Sequence, residues 1–136
     1  MSAHADGPDR GRSGDGADSV ATPSAARPHY FHQHDLGRFH EVERGAPELA
    51  RKFFDWYGAV FAEGALTARE KSLIALAVAH AVQCPYCIDA YSKDSLEKGS
   101  NLDEMTEAVH VAAAIRGGAS LVHGIQMRNR ADTLGM

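Results

Sequence analysis

A chain of 136 residues with 44% hydrophobic content holds one domain's worth of sequence and enough apolar side chains for an ordinary core. Its 14 basic and 18 acidic side chains leave a formal charge of −4, and no Lys/Arg block or basic stripe appears, which argues against a nucleic-acid ligand. The longest apolar run, Leu73 to Val82, is interrupted by His80 and falls far short of the roughly 20 residues of a membrane span; with Arg and Asp where a secretory signal would be apolar, a cytoplasmic protein is expected.

Residues 1–28 are rich in Gly, Ala, Ser, Asp and Pro and carry almost no large apolar side chain, so burial cannot offset the entropy of ordering them. They read as a disordered tail preceding one helical domain over residues 29–136. From Tyr30 onward no segment alternates apolar and polar residues for long, whereas helical spacing recurs, so the domain is expected to be all-α. A short helix is expected over Asp35 to Arg44. A second runs from Pro47, a favoured first helical position, to Ala62, with Leu49, Phe53, Trp56, Tyr57, Val60 and Phe61 as its apolar stripe. Thr67 and Glu70 have capping-box spacing and open a third helix, read as buried, toward Val82. Pro85 marks a break near Gln83 and a fourth helix from Cys84 to Lys98, closed by Gly99. Asn101 and Glu104 form another box opening a fifth helix to Arg116; Gly117-Gly118 is read as its end, and a sixth helix follows to Arg130. Six helices would then form a compact bundle.

The chemistry concentrates in Cys84-Pro85-Tyr86-Cys87, which contains the chain's two cysteines. One helical turn separates their Cα atoms by roughly 5 Å, within the span a disulfide bridges, so the pair can open and close without refolding the chain. Two cysteines are too few for a four-cysteine zinc site or a secreted cross-link framework. The expected helix start favours a thiolate, and a sulfenic acid formed on one sulfur can condense with a thiol one turn away. The competing reading is that both are small buried hydrophobes, inert in a structural helical subunit.

Glu70-Lys71-Ser72-Leu73-Ile74-Ala75-Leu76-Ala77-Val78-Ala79, the Cys84–Ala90 segment, Glu97-Lys98-Gly99 and Ala112-Ala113-Ala114 together resemble the core of alkylhydroperoxidase D, within the carboxymuconolactone decarboxylase-like superfamily. The likeness covers roughly Phe53 to Gly124. More narrowly it resembles the peroxidase-like proteins associated with arsenosugar biosynthesis. It implies an alkylhydroperoxidase D-like bundle and a thiol-dependent peroxidase, without cofactor or resident metal, that reduces hydroperoxides and is regenerated by an external dithiol. It also implies a homo-oligomer, trimeric or hexameric; the aromatic-rich Phe53-Phe54-Asp55-Trp56-Tyr57 points to association independently. By the resemblance Cys87 is the peroxidatic thiol and Cys84 its resolving partner, whereas helix electrostatics alone favours Cys84 as the more acidic. The family's relay glutamate and histidine correspond to Ser72 and Tyr91, neither of which is a base at neutral pH.

A substitute relay is therefore sought in His80, Glu70, Tyr86 and Tyr91. His80 precedes Cys84 by one turn and titrates near neutrality; a core histidine is the plainer reading. Glu70 reads first as the capping-box carboxylate, with Thr67 at the required spacing. Tyr86 and Tyr91 flank Cys87 and either pack there or donate to a thiolate or bound peroxide. His110 and His123 are left out of the site, and His32, His34 and His40 read as a solvated segment. A different class of function is a binding protein whose vicinal thiolates hold a trivalent arsenical or another soft ion.

Overall fold

The computed structural model describes residues 30–136, so the expected disordered tail lies outside the described residues. Among them there is no strand; a 3-10 helix, Leu36–Glu43, is followed by α1 (Pro47–Phe61), α2 (Ala68–Ala81), α3 (Pro85–Glu97) and α4 (Leu102–Thr133). Five helical elements replace the six expected. The difference lies at Gly117-Gly118, which α4 runs through without interruption. A glycine in a helix interior costs about 1 kcal/mol relative to alanine and forbids nothing, and this pair sits among Ala, Ile, Leu and Val.

Capping chemistry starts α2 and α4 where the sequence indicates. Thr67 Oγ1 accepts from Glu70 N–H at 3.1 Å and Glu70 Oε2 from Thr67 N–H at 2.8 Å. Asn101 and Glu104 reciprocate in the same way. Glu104 also pairs with Arg69, and Arg116 donates to the Ala81 carbonyl at 2.8 Å. Both bridges join residues 35 apart in sequence, so α2 and α4 run side by side in the same direction, pinned at two places. The α3 helix returns antiparallel to α2 after a three-residue turn and ends at Gly99 in the left-handed conformation (φ 85°).

The centre of the fold is one face of α2. Ser72, Leu76 and Ala79, at i, i+4 and i+7, are buried, with Leu76 only 2% exposed, and Met105 and Ala112 of α4 face the same core. The expected buried helix is buried on one face only: Ile74, Val78 and Val82 of the same run are half exposed or more. The compact bundle is corrected. Beyond Ala112, α4 has no buried residue, and its 32 residues reach about 48 Å. The α1 stripe also divides. Ala50, Phe54, Tyr57 and Phe61 are buried or half-buried, whereas Leu49, Phe53, Trp56 and Val60 face outward, Trp56 with 64% of its surface free.

Candidate active site

The turn between α2 and α3 sets the cysteines. Val82 closes α2, Gln83 takes a left-handed conformation (φ 55°), and Cys84 N–H reaches back to the Ala79 carbonyl at 3.1 Å, satisfying an end-of-helix acceptor. A left-handed glutamine is unfavourable locally, so the packing on either side holds it there. Cys84 thereby becomes the N-cap of α3 with Pro85 in the first turn, and its Sγ accepts the Cys87 backbone N–H at 3.2 Å. The two sulfurs are joined as a disulfide with Cα atoms 5.3 Å apart, matching the one-turn expectation.

Two cavities open beside the pair. The larger, about 750 Å³, lies between the 3-10 helix, α1 and α3, and both Cys84 and Cys87 line it. The smaller, about 420 Å³, lies between α1, α2 and α3 and receives Cys87 but not Cys84; Val60, Leu66, Ile74, Val78 and Val82 are among its apolar lining. Tyr57, Phe61 and Tyr91 line both, with the rings of Phe61 and Tyr91 stacked at 5.2 Å. Cys87 thus faces two ways and Cys84 one.

The other candidates separate. Tyr91 stands with Cys87 in the walls of both cavities. Tyr86 lines the larger, but its hydroxyl donates to the Asp35 carboxylate and lies 3.1 Å from the Tyr30 carbonyl. That hydrogen bond pushes the phenol up to about 12 and, together with the His32 backbone N–H, holds the Asp35 carboxyl below its ordinary range. His80 and Glu70 are in neither sulfur cavity. The His80 Nδ1–H donates to the Leu76 carbonyl at 2.8 Å, and the exposed Glu70 carboxylate caps α2. Ser72, at the family's glutamate position, is fully buried and donates to the Arg69 carbonyl at 2.7 Å. His32, His34, His40, His110 and His123 lie on exposed positions.

Sequence reasoning missed Asp35, Phe39, Phe54, Tyr57 and Asp94, all in the larger cavity's wall. Asp94 carried a signal, standing seven residues after Cys87 and so on its face of α3. Burial, with the Asp94 charge adding to it, pushes the Tyr57 phenol up. Asp35 carried no signal, since its partner is 51 residues away. Among the described residues no three His, Cys, Asp or Glu side chains are grouped so as to hold a metal ion, and no helix is long and apolar enough to cross a membrane.

Comparison with known proteins agrees with this fold. A protein from Paracoccus denitrificans, described as uncharacterized protein 4 in cox locus, is 41% identical over 83 residues, covering 61% of this chain and 75% of that one. A crystal structure of a protein from Methanobacterium thermoautotrophicum superimposes with a TM-score of 0.61 at 37% identity, over 63% of this chain and 97% of the other. The model of the carboxymuconolactone decarboxylase family matches residues 47–127, which take in α1, α2, α3 and most of α4 with both cysteines. More than half of the sequence thus falls within that match, and the chain belongs to the carboxymuconolactone decarboxylase family, the superfamily of alkylhydroperoxidase D.

Proposed function

We propose that the protein is a thiol-dependent peroxidase whose Cys84 and Cys87 cycle between dithiol and disulfide. The observation that carries this reading is a bonded pair of sulfurs at a helix N-terminus, opening on a cavity walled by apolar and charged side chains. The Cys87 thiolate attacks the outer oxygen of a hydroperoxide; the O–O bond breaks, the sulfur becomes a sulfenic acid, and the alkoxide leaves with a proton. The Cys84 thiolate then attacks the Cys87 sulfur, forming the S–S bond and expelling hydroxide, which leaves as water with a second proton. An external dithiol restores both thiols by exchange and is itself oxidised to a disulfide.

The two sulfurs divide the work. Cys84 accepts a backbone N–H at the N-cap, where the helix terminus favours a thiolate and so a ready resolving nucleophile. Cys87 lines both cavities and Cys84 only the larger, so substrate has more routes to Cys87. Tyr91 is assigned as the proton donor to the leaving alkoxide. A phenol stays protonated at neutral pH and is a far stronger acid than an alcohol, so it suits that step although it is no base. His80 and Glu70 receive no part, and the Tyr86 proton is engaged by Asp35.

Counting free thiols in the reduced protein after one equivalent of cumene hydroperoxide tests the reading. Both thiols are expected to disappear in the wild type, and Cys84→Ser is expected to accumulate a sulfenic acid on Cys87. Tyr91→Phe should slow oxidation by about 100-fold, the lower end for lost general-acid catalysis. An unchanged wild-type thiol count would sink the proposal. The vicinal thiols keep the soft-ion-binding alternative in the same assay: phenylarsine oxide titrating both thiols while hydroperoxide leaves them reduced would favour it.

A further inference from the structure

Segment 30–36 runs across the Cys-Pro-Tyr-Cys turn, and nothing in the peroxidase reading uses it. Three contacts attach it to Tyr86: the hydroxyl to the Asp35 carboxylate, the hydroxyl to the Tyr30 carbonyl, and the edge of the Phe31 ring against the Tyr86 ring at 5.0 Å. A cavity of about 130 Å³ between Phe31, Leu36, Pro85 and Tyr86 shows the segment lying over the first turn of α3. The chain then continues into the 3-10 helix. There Leu36, Phe39 and Val42 form one wall of the larger sulfur cavity, and Phe39 packs edge-on against Phe54 of α1 at 5.1 Å. One end of this wall is therefore held to α1 by aromatic packing. The other is held to α3 through the side chain of Tyr86.

We propose that Asp35 is a positioning residue for Cys84: by holding Tyr86 it fixes the segment 30–43 as a wall over the larger cavity and thereby limits which reagents reach that sulfur. The asymmetry of the two cavities makes the proposal specific. Cys84 is reached from the larger cavity, whereas Cys87 also lines the smaller one, whose wall contains no residue of this segment. Loosening the attachment exposes Cys84 and leaves one approach to Cys87 as it was. The attachment depends on a side chain between the two cysteines and on a carboxylate 51 residues away, so it is a property of the folded site rather than of the motif.

The test needs no peroxidase activity and stands whether or not the peroxidase reading does. Full-length protein carrying one thiol, as Cys87→Ser or Cys84→Ser, is combined with Asp35→Asn, Tyr86→Phe or both, and alkylation by N-ethylmaleimide is timed. Rates are read on the alkaline plateau of each profile, so that a changed thiol acidity does not enter. Asp35→Asn and Tyr86→Phe are each expected to speed Cys84 by about three- to fivefold, the scale of one exposed charge-assisted contact, and to leave Cys87 within about twofold. The double variant should be no faster than Tyr86→Phe alone, because phenylalanine already lacks the hydroxyl that Asp35 holds. Hydrogen exchange across residues 30–43 should quicken in all three. Tyr86→Phe keeps the ring against Phe31 and the Asp35 charge in place, so it separates loss of the bond from misfolding and from altered electrostatics. Acceleration of both sulfurs alike, additive effects in the double variant, or unchanged Cys84 in Tyr86→Phe would each overturn the proposal.

Discussion

Tyr86 and Tyr91 flank the same cysteine, yet their surroundings give them different chemistry. Tyr91 has its ring against Phe61 in the wall of both cavities, while the Tyr86 proton is held by Asp35. This pairing has a pH signature. Asp35 titrates below its ordinary value, so the stability it contributes is present above the carboxylate range and is lost as pH falls through its depressed titration. Tyr86 titrates at about 12, so its contribution is present below the ordinary phenol value and is lost as pH rises through its raised one. The contact therefore holds across the neutral range. Ultraviolet titration of the four tyrosines should show Tyr86 ionising late, and Asp35→Asn should return that step toward the ordinary value while leaving the raised Tyr57 where it is. Unchanged late ionisation in Asp35→Asn would contradict the assignment. At this scale the cysteine pair and its spacing were legible in sequence, because one helical turn is a local distance. The capping role of Glu70 was legible as one of two readings, and the Asp35–Tyr86 bond was not legible at all.

Helix starts were read correctly wherever a side chain caps them: Thr67, Asn101 and the Cys84-Pro85 step stand at observed N-termini. Helix ends are less local. Gly99 closes α3, where the chain needs a left-handed residue, but Gly117 and Gly118 keep helical geometry, and a Cβ built on either meets nothing within 4 Å. A glycine marks a stop only where tertiary contacts draw the chain away. Gly117→Ala and Gly118→Ala should therefore stabilise the protein, each by up to about 1 kcal/mol, as measured by chemical denaturation. Destabilisation by either would show that a surface not evident in the protomer approaches α4 there. The α1 stripe carries a related lesson. Leu49, Phe53, Trp56 and Val60 share helical spacing with one another as well as Phe54, Tyr57 and Phe61 do, so periodicity identifies two apolar faces without saying which one turns inward.

For the molecule as a whole, the balance of buried and exposed apolar surface is unusual. Among the described residues the buried apolar ones are Ala50, Leu76, Ala79, Met105 and Ala112, whereas Trp56, Ile115, Leu121, Val122 and Met127 are exposed by more than 60%. Such continuous apolar faces on α1 and the far half of α4 support association of copies of this chain. Sedimentation is expected to give a trimer or hexamer, and Trp56→Glu combined with Leu121→Glu is expected to shift it to smaller species; a monomeric wild type would exclude the expectation. All-α character, the start of each long helix and the one-turn cysteine pair were determined by the sequence alone, because they rest on contacts within a few residues: periodicity, caps, and a proline after a cysteine. Tertiary structure alone decided that α4 is one helix, that Ser72, His80 and Glu70 stand away from the sulfur cavities while Asp35 joins them, and that Cys87 faces two cavities and Cys84 one. Those outcomes depend on which faces of distant helices meet, and no local spacing encodes that.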